Sequence, residues 1–392
     1  MTNKTPTILI IFGISGDLAK RYLLPAIEAI AKAKMLPDKF EIVGITRQKN
    51  SKLFEMDLGN TEDYEKLNEH LEKIEKNFKE PAQRLFYLAV PPEACKNIVE
   101  LIGKSSLVKN KENKTKNKLL LEKPFGTDLE NARGLVVHID KYFKSEQVYR
   151  IVHYLAKETA KEIISLRNSK SFKNKWDKNF IEKIEIIISE KIGVEGRINF
   201  YEQTGAMRDM VQSHLLELVA LTLMELSEGN NVENIPYFRY KALKDLNIVC
   251  DITKNECVKR AQYEDYRQEV KNPKTIVETF ISINLRSSDK RWRGVPITLT
   301  TGKKLKEKFT KIKIKYKNKP LHFDFKDKEG SLGAYEQVLL SAINGDHSFF
   351  ISSEEILETW RILDAVQKTW EKTRDDLKIY KKGSTIEEVM NI

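Results

Sequence analysis

Residues 7–19 read TILIIFGISGDLA. Thr7–Phe12 is a mostly apolar run of strand length, the composition of a strand covered on both faces. Gly13-Ile14-Ser15-Gly16-Asp17-Leu18 follows at once and opens a helical pattern from Leu18 to Lys34. Glycines let the backbone turn tightly and approach a pyrophosphate, and the helix N-terminus adds unpaired N–H groups and positive dipole. The spacing is not GxGxxG, so position after the first strand, more than the letters themselves, points to a dinucleotide. Gly13, Ser15, Gly16, Asp17 and Leu18 are the candidate cofactor contacts.

The same rhythm continues outward. Phe40–Thr46, Arg84–Ala89 and Lys118–Glu122 read as strands, separated by helical stretches that reach about Phe78, Ile102 and Phe143. Alternating strands and helices imply a parallel sheet covered on both faces. Beyond Ile151 the pattern changes: Lys183–Ser189, Thr275–Leu285, Pro296–Thr301 and Lys311–Tyr316 read as strands. In the last, Ile312, Ile314 and Tyr316 alternate with Lys311, Lys313 and Lys315, as in a sheet with one wet face. Helical patterns at Gly333–Ile343 and Ser353–Lys372 close the chain. The expected fold is a Rossmann-like, doubly wound α/β domain over residues 1–150, followed by an α+β domain with a largely antiparallel sheet over residues 151–392.

The second strand ends Gly44-Ile45-Thr46-Arg47. An NAD site usually places Asp or Glu there for the ribose 2′-OH, whereas Arg accommodates a 2′-phosphate, so Arg47 points to NADP.

Composition excludes several classes. At 392 residues the chain exceeds one ordinary core and accommodates two domains. No apolar run approaches the roughly 20 residues of a membrane span, and the N-terminus lacks the layout of a signal peptide. The three cysteines, Cys95, Cys250 and Cys257, form no CxxC pair and have no histidine cluster beside them. Neither a disulfide framework nor a metal site is expected, and the simplest account is a reduced, cytoplasmic protein. The net charge of +11 invites a nucleic-acid reading. Its lysines, however, are interleaved with glutamates along solvated helix faces, and the densest run, Lys109–Lys118, contains no aromatic residue to stack on bases. No nucleic-acid partner is expected.

Four segments in order carry a family resemblance: GISGDLAKRYLLPAI (13–27), LLLEKPFGTDLENA (119–132), YRIVHYLAKE (149–158) and SEKIGVEGRINFYEQTGAMRDMVQSHLL (189–216). RWRGVPITLTTGKKLKEK (291–308) continues them more weakly. Together they resemble glucose-6-phosphate dehydrogenases. The segment around His153 is the most specific, being close to a family pattern RIDHYLGKE.

The resemblance implies oxidation of glucose 6-phosphate at C1 to 6-phosphogluconolactone, with hydride passing to NADP. It implies His214 as general base, although by itself His214 reads as a core histidine on an apolar helix. Lys123 would lie between sugar and nicotinamide, with a cis bond to Pro124. His153, Tyr154 and Lys157 would grip the substrate phosphate, and Glu190 and Asp209 would hydrogen-bond sugar hydroxyls. Lys303 and Lys308 would add substrate-side cations, and a homodimer through the second domain's sheet is expected.

This chain also departs from the pattern. Val152 stands where the family has the Asp that orients the catalytic histidine, Ala156 replaces a Gly, and Ser213 an Asn. Three residues after the base, Glu217 replaces a Gln, and residues so spaced share a helix face. Glu217 is therefore the candidate to orient His214 in place of the lost Asp. Two alternatives stay open: a catalytically weak sugar-phosphate and NADP-binding homologue acting as sensor or scaffold, and a dehydrogenase of another sugar phosphate.

Overall fold

The computed structural model describes residues 5–47, 53–108, 117–226, 234–250, 252, 257–317, 319–326, 330–374 and 376–392. Most of the basic run Lys109–Lys118 lies outside them. Its last two residues, Asn117 and Lys118, open a buried strand rather than ending an exposed loop.

Two compact units make up the chain. The first takes Met1–Phe125, Glu130–Ala156 and Leu332–Ser353, and the second Gly126–Leu129, Lys157–Ser331 and Glu354–Ile392. The single cut expected at residue 150 is therefore corrected, because the helix Ala334–Asn344 and the short strand Phe350–Ile351 return to the first unit. Val338, Leu339, Ala342 and Ile343 of that helix are buried in one cluster with Leu9, Ile11 and Tyr87. Local periodicity announces such a helix but not which core it joins.

The first unit's sheet contains β1 (Thr7–Phe12), β2 (Phe40–Thr46), β3 (Phe54–Glu55), β4 (Gln83–Leu88), β5 (Asn117–Leu121) and β6 (Val148–Ile151). Their order is β6-β5-β4-β1-β2-β3, all neighbours parallel, and Phe350–Ile351 adds an antiparallel edge beside β6. Strand order reverses between β1 and β4, and a doubly wound sheet binds ligands beyond the carboxyl ends of its strands at such a point.

The second unit's sheet runs Leu321–Asp324, Phe309–Tyr316, Ile181–Ser189, Ile297–Gly302, Phe280–Ser287, Val258–Tyr263, Leu377–Tyr380, and Leu246–Asn247 also pairs with Phe280–Ser287. Two pairings are parallel, Ile181–Ser189 with Ile297–Gly302 and Val258–Tyr263 with Leu377–Tyr380; the others are antiparallel. Ile312 and Ile314 point into the core, as their alternation predicts. The strand expected from Thr275 begins only at Phe280. The intervening residues have other partners: Thr275 donates to Glu202, and Glu278 accepts from the backbone of Ala206 and Met207.

Against the expectation of reduced cysteines, Cys250 and Cys257 form a disulfide, with Cα atoms 6.4 Å apart. A separation of seven residues matches no recognised motif, so nothing in the local letters signals the bond.

Candidate active site

In the first unit the candidate residues follow the carboxyl ends of four strands. Gly13 leaves β1 with φ +82°, and a Cβ there would lie 2.5 Å from the Ala89 carbonyl oxygen, so only glycine fits. The Gly16 N–H closes the turn on the Gly13 carbonyl at 2.9 Å, and the chain then enters the helix that carries Ala19–Leu23 and Leu24–Lys32. Ser15 and Asp17 are exposed on this turn, which presents backbone N–H groups at a helix start, as a pyrophosphate requires. Arg47 is exposed just past β2 and lines a cavity of about 600 Å³ with Glu55, Met56, Asp57 and Asp63. The turn and Arg47 together fit an adenine dinucleotide.

Lys123 follows β5, and its bond to Pro124 is cis. His153 and Tyr154 follow β6, half-buried, with ring centroids 4.8 Å apart. Val152, where the family Asp would stand, is fully buried.

Three residues here escaped sequence reasoning. The Tyr87 hydroxyl donates to Glu122 at 2.5 Å, and Tyr335, from the returning helix, donates to the same carboxyl. Burial pushes Glu122 up to about 7, opposed by the Tyr87 hydrogen bond, the Lys123 charge and the Tyr335 hydrogen bond. Tyr335 also lies nearly parallel to His153, with centroids 6.2 Å apart, and stacks on Tyr22 at 5.3 Å. Glu122 was visible as a neighbour of Lys123 in the EKP motif. Nothing local ties Tyr335 to it.

In the second unit one helical stretch carries Asp209 and His214. Met207–Leu215 is wound wide, with the Leu216 N–H reaching the Val211 carbonyl five residues back, and Leu216–Leu223 continues as α-helix. Such π segments recur at functional positions in helices. Both ends are pinned. At the start, Gly205 (φ +61°) leaves no room for a Cβ against Glu278, whose carboxylate accepts the Met207 N–H at 2.8 Å. At the finish, Arg167 donates to the carbonyls of Leu221 and Met224, Trp176 to Thr222 and Trp292 to Leu223. Side chains thereby satisfy helix-end carbonyls that would otherwise be buried without donors, and the Arg167 charge at the C-terminus is the sign the helix dipole favours there.

Glu190 and Lys303 follow adjacent parallel strands, and the Lys303 ammonium lies 2.6 Å from the Glu190 carboxylate. Lys303 is buried, with Tyr201's ring 5.2 Å from its nitrogen and the Tyr380 hydroxyl on its carbonyl at 2.6 Å. Burial holds the Tyr201 hydroxyl well above its ordinary range, helped by Glu278, Asp209 and Glu190. Glu190, Lys303 and Asp209 therefore share one neighbourhood around Tyr201. Lys157 begins the helix Glu158–Asn168, and Lys308 is exposed.

The expectation that Glu217 holds the His214 ring is not met. Glu217 is fully buried, and neither carboxyl oxygen accepts a hydrogen bond from a described group. Its nearest basic atom is Arg239 Nε at 3.9 Å, while the same Nε meets Glu355 at 2.6 Å. Position on the helix placed Glu217 near the base; the neighbouring helices, unseen in a local reading, decide where its carboxyl points.

Comparison with known proteins accords with this geometry. The family description "Glucose-6-phosphate dehydrogenase, NAD binding domain" matches residues 10–53 and 48–162, and "Glucose-6-phosphate dehydrogenase, C-terminal domain" matches 164–332 and 320–390. A glucose-6-phosphate 1-dehydrogenase of Chlamydia muridarum is 28% identical, covering 97% of this chain and 93% of the relative. That alignment runs over 476 positions, more than the chain's own 392 residues, so the relative carries insertions. The solved glucose-6-phosphate 1-dehydrogenase of Mycobacterium avium is 25% identical with a TM-score of 0.80, covering 97% of this chain and 95% of that one. A glucose-6-phosphate dehydrogenase solved with its substrate glucose 6-phosphate shares the fold, with a TM-score of 0.87 at 24% identity, covering 100% of this chain and 98% of that one. With both of its domains matched over nearly their whole length, the chain belongs to the glucose-6-phosphate dehydrogenase family.

Proposed function

We propose that this protein oxidises glucose 6-phosphate at C1 to 6-phosphogluconolactone, with NADP as preferred acceptor. The turn Gly13–Leu18 and Arg47 would hold the cofactor, which would supply a hydride acceptor for C1. His214 takes the C1 hydroxyl proton as the ring oxygen's neighbour becomes a carbonyl carbon. His153, Tyr154 and Lys157 hold the phosphate dianion through charge-assisted hydrogen bonds. Glu190 and Asp209 accept from sugar hydroxyls; Lys303 sets the Glu190 carboxylate, and Lys308 adds positive charge. Lys123 bridges sugar and nicotinamide. The observation that carries the reading is the family match over both domains.

NADP preference rests on Arg47. Its cavity also contains Glu55, Asp57 and Asp63, carboxylates that suit a ribose 2′-OH and so support some use of NAD. Val152 favours a second reading, a homologue that binds both ligands and turns over slowly, since losing an orienting carboxylate costs on the order of 10²–10⁴ in rate. We expect a homodimer through the second unit's sheet, for which light scattering is the check.

One spectrophotometric assay tests the function: NADPH formation from a panel of sugar phosphates and unphosphorylated glucose. Glucose 6-phosphate is expected to be the best substrate. Tight binding of both ligands without NADPH would favour the slow homologue, and equal use of glucose would remove the phosphate assignment. Arg47→Ala should weaken NADP more than NAD by roughly 1.5–3 kcal/mol; equal losses would remove Arg47 from the cofactor site.

A further inference from the structure

Three helices of the second unit bring Glu217, Arg239 and Glu355 together with no solvent exposure on any of them. Glu217 lies on Leu216–Leu223, Arg239 on Ile235–Lys244 and Glu355 on Ser353–Lys372. The guanidinium engages Glu355 through Nε at 2.6 Å and Nη2 at 3.5 Å, whereas Glu217 stands off at 3.9 Å. Two carboxylates facing one guanidinium would leave an uncompensated buried negative charge, which proteins avoid by protonation. With both groups ionised, neither Glu217 oxygen has a donor among the described residues. One added proton removes the surplus charge and turns Glu217 into a donor to Glu355. Burial, then the Glu355 charge, raises Glu217 well above the carboxylate range, outweighing the opposing effect of Arg239.

The same neighbouring helix meets the His214 helix a second time. Gln212 donates to the Thr359 hydroxyl at 3.0 Å, and Thr359 lies one turn beyond Glu355. His214 therefore sits between Gln212, two residues before it and bonded to Ser353–Lys372, and Glu217, three residues after it and facing Glu355 of the same helix.

We propose that Glu217 is a positioning residue for His214, and that it works as a neutral carboxylic acid sharing one proton with Glu355 beside Arg239. A neutral acid has the size and donor capacity of the Gln that the family resemblance places here, so the substitution keeps the contact with Glu355 without placing a charge near the base. The proposal rests on the reading of His214 as base.

The test joins infrared spectroscopy to kinetics on the full-length protein. Wild type should show a buried protonated-carboxyl band at neutral pH that Glu217→Gln removes. Glu217→Gln should leave the acidic limb of the kcat/KM profile in place. Glu355→Gln transfers the charge to Glu217 and should move that limb upward by about one unit, as a new negative charge near an imidazole does. Glu217→Leu, which cannot make that contact, should lower kcat about tenfold while the glucose 6-phosphate KM changes less than about twofold. Absence of the infrared band, or a downward shift of the acidic limb in Glu217→Gln, overturns the neutral acid. An unaltered kcat in folded Glu217→Leu overturns the positioning role. If wild type oxidises no sugar phosphate, the functional reading and the positioning role fail together, while the infrared band still decides the proton.

Discussion

Glu122 and Glu217 are both carboxyls raised by burial, and the two units handle them differently. Around Glu122 the first unit arranges two phenols and the Lys123 charge, all of which favour the ionised form. Its midpoint therefore stays near neutrality, at about 7, with solvent still reaching the residue. Around Glu217 the second unit arranges another carboxylate and a guanidinium already engaged by it. There the proton is part of the packing. The contrast shows that burial alone does not decide whether an acid can titrate; the donors supplied to its charged form do.

The comparison can be broken in three places. Removing the shared cation should have the largest effect: Arg239→Met leaves two buried acids without their counter-charge. It should destabilise by about 3–5 kcal/mol, read by denaturant unfolding; a loss below about 1 kcal/mol would mean that the trio is loosely held. Next comes the pH dependence of Glu122. Its midpoint is higher folded than unfolded, so between about pH 4.5 and 7 the folded chain keeps a proton that the unfolded chain releases. Stability from this group is complete below that window and falls as pH rises through it, by roughly 2–3 kcal/mol allowing for partial exposure. Glu122→Gln should abolish that fall, measured as unfolding free energy at pH 5 and pH 8. The smallest effect belongs to Tyr87→Phe, which removes one donor to Glu122 and should cost about 1–2 kcal/mol above pH 7, moving the carboxyl midpoint further up; an unmoved midpoint by carbon-13 titration would discount that hydrogen bond.

Much of the first unit could be read from its letters, because four of its six parallel strands are short, mainly apolar runs. Gly13 was placed by its position directly after the first of them, whereas Lys123 and His153 came from the family resemblance of the segments that carry them. The reading lost force where partners are remote. Tyr335 reaches Glu122 across 213 residues of chain, and the Glu217 carboxyl was assigned to the wrong neighbour for the same reason. Periodicity specifies which face of a helix is buried, while the packing of other helices specifies what that face meets. The strand Val148–Ile151 was missed because four residues carry too little pattern.

The return of Leu332–Ser353 to the first unit has a consequence for synthesis. A nascent chain released as far as Ala156 has all six parallel strands but lacks the helix that covers Leu9 and Ile11 and whose last turn accepts hydrogen bonds from Gln83 and Lys118. The amino-terminal unit therefore cannot finish folding until residues beyond 340 have left the ribosome, at about 5–20 residues per second some ten seconds or more after its own strands emerged. Over that interval its apolar face is a client for chaperones, and a stop codon between the two pieces would yield a sheet without its cover rather than a working cofactor domain.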